Sequence, residues 1–229
     1  MSQQLTFDLP SRTALGRDAF FVSPANAMAV ETVEEPDNWP DGKLVLVGAK
    51  GAGKTHLTHV WAEKFDALVL TASNLKAGDL ASQIAGFTHV AVEDIDAITA
   101  QGEQENALFH LHNMVLATQG RLLMTSTIPP GNCSFALADL TSRIHACASA
   151  TLQPADDQLL TAILVKLFDD RQLDVSLDVI SYLVPRIERS FSGAQQIVTT
   201  LDKAALSARR AVTRPFAIRV LDKLSHKDA

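Results

Sequence analysis

Cysteine is scarce in this sequence. The 229 residues include two, Cys133 and Cys147. They form no C-x-x-C pair and no metal-ligand set, so a reducing cytosol fits. No apolar run reaches membrane-spanning length. The N-terminus lacks the charged-then-apolar pattern of a secretion signal. Positive charge is in deficit as well: 20 Lys and Arg stand against 26 Asp and Glu, a formal net charge of −6. A DNA-binding role would therefore need a local basic patch, because the overall field opposes it. No internal repeat and no low-complexity tract is evident. The remainder is ordinary for a globular chain, 47% hydrophobic and 20% charged, and long enough for one large domain or a core with a smaller companion.

The first residues are unusual for a chain end. In "QQLTFDLP", Leu5, Phe7 and Leu9 alternate with Gln4, Thr6 and Asp8. Period-2 alternation suits a strand that packs on the body or pairs with another chain. Taken alone, the residues favour that strand over the other reading, an extended peptide whose apolar anchors dock in a partner's groove.

Strand and helix patterns alternate from Lys43 onward. "KLVLVG", "ALVLT", "THVAVEDID", "RLLMTST" and "ATLQP" read as five strands. Between them, "GKTHLTHVWAEKF" has helical spacing at Leu57, Val60, Trp61 and Phe65, and "NALFHLHNMVLA" carries an apolar stripe. Such alternation predicts an α/β fold, a five-stranded parallel sheet flanked by helices. The acid- and proline-rich "TVEEPDNWPDGK" ahead of it reads as a solvated loop. From Ala155 the strand patterns cease. Three helical patterns follow, then a fourth, "PFAIRVLDKL", with Pro215 at an N1-like position. This predicts a tail over 1–12, an α/β core over 13–154 and a small helical lid over 155–229.

"GAKGAGKT", Gly48 to Thr55, fits G-x-x-x-x-G-K-[ST] between a strand and a helix, the context a phosphate-binding P-loop requires. The segment Gly48, Ala49, Lys50, Gly51, Ala52, Gly53, Lys54, Thr55 and the following His56 is the candidate nucleotide cradle. Glycines let backbone N–H groups turn inward on a phosphate, and the helix N-terminus adds a favourable dipole. Lys54 can reach the β- and γ-phosphates, and Thr55 can ligate Mg²⁺. The strand "VAVEDID" ends in acids, so Glu93 is the candidate second Mg²⁺ ligand and Asp94 the residue that orients water. Glu93 departs from the usual Asp. Its extra methylene would displace a carboxylate that Mg²⁺ needs in near-ideal geometry, so binding could outlast hydrolysis. Thr125, Ser126 and Thr127 end the fourth strand, and Thr125 is the candidate contact to the γ-phosphate or water. His56 and His59 have no third ligand partner, and His110 and His112 point in different directions. Arg143 and Arg189 are the remaining candidates. On the residues alone the default for each is a surface salt-bridge arginine.

The ordered set of P-loop, acid-ended strand, polar strand end, arginine and helical lid resembles an AAA+ module. In detail it resembles the replication initiator DnaA and its relatives. "FFVSPANAMA" is similar to the initiator segment that borders the adenine, which implies nucleotide contacts from Phe21 and Val22. "LLMTSTIPP" resembles the initiator's "IVLTSDRPP". "LTSRI" is similar to the stretch bearing the arginine finger, which implies that Arg143 acts in trans on a partner's nucleotide. "RSFSGAQ" resembles the lid's nucleotide sensor, which implies Arg189. No pattern for a helix-turn-helix DNA-binding domain follows the lid. That architecture resembles the DnaA-related regulators of the Hda type. In that family a peptide similar to "QLSLPL" docks on the sliding clamp. Gln4, Leu5 and Leu9 match it, with Phe7 where the peptide has leucine and Asp8 where it has proline; the resemblance implies that Gln4, Leu5, Phe7 and Leu9 bind the clamp.

The resemblance implies a cytoplasmic negative regulator of replication initiation that carries ADP or ATP with Mg²⁺. It would bind DNA only through the clamp and stimulate ATP hydrolysis by the initiator, with weak or no hydrolysis of its own. It leaves homo-oligomerisation open and gives no membrane role. The contrasting expectation is a DNA-binding AAA+ ATPase, such as a helicase loader or truncated initiator. It requires a basic surface and a competent hydrolytic site. A small-molecule P-loop kinase would require an acceptor pocket with its own base, and none is legible.

Overall fold

The structure is a computed structural model that describes residues 11–12 and 20–225. The expected clamp-binding residues Gln4, Leu5, Phe7 and Leu9 lie outside the described residues. The chain divides into two compact units, one over Ser11–Gln153 and the other from Pro154 onward.

The first unit opens with a short antiparallel pair, β1 (Ser11–Arg12) and β2 (Phe20–Phe21), followed by α1 (Ala27–Glu34). Then come β3 (Lys43–Val47), α2 (Lys54–Phe65), β4 (Leu68–Thr71), α3 (Leu80–Gln83) and β5 (His89–Glu93). The unit ends with α4 (Gly102–Ala117), β6 (Arg121–Ser126), α5 (Ala138–His145) and β7 (Ala148–Thr151). Strands β3 to β7 form one sheet in the order β4-β5-β6-β3-β7, with every pairing parallel. The expected α/β architecture is therefore present.

Pleat alternation sorts β3 onto two cores. Leu44 and Leu46 pack with Val30, Val33, Leu57 and Trp61 of α1 and α2. Val45 and Val47 pack with Leu108 and Leu111 of α4 and Leu140 and Ile144 of α5. A strand covered on both faces reads as an unbroken apolar run, which is why "KLVLV" carries no polar alternation. Each fully buried Leu or Val of this set contributes about 1.5–3 kcal/mol.

Three elements depart from expectation. The last strand pairs over Ala148–Thr151, two residues earlier than "ATLQP". Helix α4 starts at Gly102, four residues before the apolar stripe. The solvated-loop reading of Thr32 to Lys43 gives way to the last turn of α1, two single turns at Pro36–Asn38 and Pro40–Gly42, and the start of β3.

Among the described residues, the second unit is built of helices: α6 (Asp157–Asp169), α7 (Leu177–Leu183), α8 (Phe191–Ala208) and α9 (Arg214–Ser225). Leu160, Ile163, Leu164, Leu167 and Phe168 make the buried face of α6 at helical spacing. Asp156 caps that helix, accepting from the Leu159 N–H at 2.7 Å. Ser190 caps α8, accepting from the Gly193 N–H at 3.0 Å. Gly193 has no room for a side chain, since a Cβ would lie 2.7 Å from both Cβ and O of Glu188. Helix α7 stops at Leu183 because Pro185 supplies no N–H. Pro215 is the second residue of α9 rather than the first.

Candidate functional site

The C-terminal ends of β3, β5 and β6 bring the sequence motifs together. The loop leaving β3 is pinned at its base, where the Gly48 N–H donates to the Ser126 carbonyl at 3.2 Å. Gly51 and Gly53 have φ of +78° and +100°. Gly53 occupies the cap position of α2, where a side chain would be strained. Lys54 is buried. Its ammonium donates to the carbonyls of Gly48 at 2.8 Å and Ala49 at 3.2 Å, so the charge is folded back over the loop. Ala49, Lys50 and Thr55 are exposed, and Ala52 closes a turn onto the Ala49 carbonyl at 3.1 Å. This arrangement presents a lysine, a hydroxyl and a helix N-terminus to one loop, the chemistry a polyphosphate needs.

The segment before α1 rests on the same helix. The Phe20 ring meets the His56 ring edge-on, with centroids 5.2 Å apart. Asn26 fixes the backbone here, donating to the Phe21 carbonyl at 2.9 Å and accepting from the Ser23 N–H at 2.8 Å. Phe21 and Val22 are half-buried. Sequence reasoning named these two and passed over Phe20, the ring that anchors the segment.

Glu93 ends β5, and its Oε1 is buried with no hydrogen-bond partner among the described residues. An orphaned carboxylate oxygen is costly unless a cation or donor completes it. No cluster of three or more His, Cys, Asp or Glu among the described residues could hold a metal alone. Mg²⁺ instead favours one or two carboxylates supplemented by water and phosphate oxygens. Glu93 and the exposed Thr55 hydroxyl fit that donor set.

Asp94 adopts left-handed backbone angles, φ 58° and ψ 51°. Its N–H donates to Thr125 Oγ1 at 2.9 Å. Thr125, buried in β6, thus spends an acceptor site on fixing the exposed Asp94. Ser126 is also committed, donating to the Ile128 carbonyl at 2.7 Å. Thr127 is exposed, and both its N–H and its hydroxyl bond Asp96 Oδ2. The other oxygen of Asp96 is buried and without a partner among the described residues. The sequence reading gave Asp96 no part. The only sign of it was a third acid in "EDID".

Arg143 lies on α5 and is exposed. Its guanidinium sits over the Phe109 ring of α4, 5.0 Å from the centroid. Arg189 precedes α8 in the helical unit. It pairs with Asp157 Oδ1 at 2.7 Å and donates to the Ala155 carbonyl at 3.2 Å.

Residues 156–221 match the family described as "Hda, lid domain". Domain III of the Thermotoga maritima replication initiation protein DnaA is similar with a TM-score of 0.75 at 18% identity, over 89% of this chain and 94% of that one. AMPPCP-bound DnaA from Aquifex aeolicus gives 0.67 at 16% identity, over 81% of this chain and 64% of that one. The Thermotoga maritima RuvB Holliday junction branch migration motor gives 0.65 at 16% identity, over 86% of this chain and 66% of that one. This chain therefore spans somewhat less than two thirds of the latter two chains. At these identities the likeness establishes the fold alone, one shared with DnaA domain III and RuvB, and residues 156–221 of the helical unit match the Hda lid.

Proposed function

We propose that this chain is a DnaA-related regulator of the Hda type, which limits replication initiation by stimulating ATP hydrolysis in the initiator. The match of residues 156–221 to the Hda lid carries the reading. The chain binds ADP or ATP through Gly48 to His56, with Phe21 and Val22 beside the adenine and Arg189 on the lid. Thr55 and Glu93 hold Mg²⁺, which when bound offsets phosphate charge. Asp94, set by Thr125, orients water. Gln4, Leu5, Phe7 and Leu9 dock on the sliding clamp, so DNA is reached through the clamp in the cytoplasm. Arg143 enters the initiator's nucleotide site and stabilises charge on the transferring phosphoryl group, an effect of ~10³–10⁵ in rate for arginines supplied in trans. The exposure of Arg143 supports this role. So does its lack of an ion pair among the described residues, because its charge is left for a phosphate.

The test is ATP turnover by purified initiator on DNA-loaded clamp. Addition of the wild-type chain accelerates it, and Arg143→Ala removes the acceleration. Equal stimulation by the variant overturns the finger. Likeness to a branch migration motor favours a second reading, an ATPase acting on DNA itself. That reading requires rapid ATP turnover by this chain alone and DNA binding with a steep salt slope.

A further inference from the structure

Helix α4 contributes two unusual contacts to α5. Glu105 is 1% exposed, a buried carboxylate on a helix face shared with Leu108, Leu111 and the buried His112. It spans two segments. Oε1 accepts from the Ala100 N–H at 2.8 Å, at the end of the turn that follows Glu93 and Asp94. Oε2 accepts from the Leu137 N–H at 2.8 Å, at the cap of α5. Bonds to an ionised acceptor are the strong class, and both oxygens are used here. One helical turn later on α4, at i+4, stands Phe109, so both side chains lie on one face. That ring receives the Arg143 guanidinium at 5.0 Å. On α5 itself, Leu140 and Ile144 are fully buried and seat the helix against the core.

An exposed arginine on a free rotor pays side-chain entropy whenever it must adopt one geometry. A ring face reduces that cost without a counter-charge, because its quadrupole attracts the cation and leaves the N–H edges available. A carboxylate in the same place would occupy those donors.

We propose that Glu105 and Phe109 are positioning residues for Arg143, the carboxylate fixing the start of its helix and the ring fixing its guanidinium. The inference rests on the finger role of Arg143. It predicts that the ring acts on the rate in the assembled complex and not on assembly. Phe109→Leu keeps apolar volume and removes the ring face. It lowers the maximal stimulated turnover of the initiator about fivefold, with little change in the half-saturating concentration. Phe109→Tyr restores the rate. Glu105→Gln, which converts one of the two carboxylate acceptors to a donor, lowers it in the same direction.

An independent signature is the ring-current shift of the Arg143 Nε–H and Cδ–H resonances in the full chain. It is present in the wild type and Phe109→Tyr and lost in Phe109→Leu. Loss of the shift without a change in rate overturns the proposal, as does a change confined to the half-saturating concentration. If Arg143→Ala is inactive while Phe109→Leu and Glu105→Gln match the wild type, positioning fails and the finger stands. If Arg143→Ala is fully active, the finger itself fails.

Discussion

Arg143 and Arg189 are both exposed, and their surroundings differ in kind. In the helical unit, Arg189 is held by a carboxylate at 2.7 Å and a carbonyl. In the α/β unit, Arg143 is held by an aromatic face and has no ion pair among the described residues. A carboxylate partner neutralises a guanidinium and must be displaced before phosphate can take its place. A ring orients the cation and leaves its charge uncompensated. The first arrangement suits an arginine that exchanges partners when nucleotide arrives in its own subunit. The second suits one that waits for a phosphate it does not own.

The same contrast runs through the two units. The α/β unit invests in polar contacts that shape a loop: two glycines with positive φ, a lysine folded onto carbonyls, and a left-handed Asp94. The helical unit invests in caps and close packing. The largest expected effect lies in the loop. Lys54→Ala should weaken adenine nucleotide binding by on the order of 100-fold, given a charged donor worth ~1.5–3 kcal/mol. Titration with a fluorescent nucleotide checks it, and unaltered affinity would mean the loop is not the cradle. Next is Gly193→Ala, where a Cβ 2.7 Å from a backbone carbonyl cannot be accommodated by rotamer change. It should cost the helical unit about 2–3 kcal/mol in denaturant unfolding, whereas Gly78→Ala, in open space, should not cost this.

Acid should separate the units in the opposite sense. His112 is buried in the α/β unit, and desolvation lowers its pKa from 6.5 to about 4, aided by the charges of Lys43 and Arg143 and opposed by Asn113. The folded state therefore stays neutral while the unfolded chain takes up a proton. Stability is unaffected above about pH 6.5 and falls as pH drops toward 4, by on the order of 2 kcal/mol at pH 5. His112→Leu should flatten that part of the wild-type profile. The described residues of the helical unit include no histidine, so its local unfolding should not follow this profile. The smallest effect is Asp156→Ala, which should loosen α6 by about 1 kcal/mol through its lost cap, measurable by amide exchange at Leu159 and Leu160.

Much of this was legible in the sequence because its physics is local. "GAKGAGKT" declares its turn through glycine, and "KLVLV" its double burial through an unbroken apolar run. The edge strand β7 was misplaced by two residues because "ASAT" alternates small residues that carry little hydrophobic signal. Its identity comes from pairing with β3. Thr125 was read as a contact to phosphate or water, yet its bond to Asp94 crosses 31 positions and belongs to the sheet register. Phe109 was read as part of a helix with an apolar stripe, and Glu105 fell just ahead of that stripe with no part assigned. Their partners Leu137 and Arg143 come from a separate helix, and no pattern within α4 indicates them.

The most direct measurement crosses the two arginines with two readouts: affinity of this chain for ADP, and stimulated ATP hydrolysis by the initiator on DNA-loaded clamp at saturating ADP. Arg143→Ala should abolish stimulation and leave ADP affinity intact, and Arg189→Ala should weaken ADP affinity severalfold while saturating ADP restores stimulation. If Arg143→Ala loses ADP affinity and stimulation together, Arg143 serves its own subunit's nucleotide, and the role in trans is contradicted.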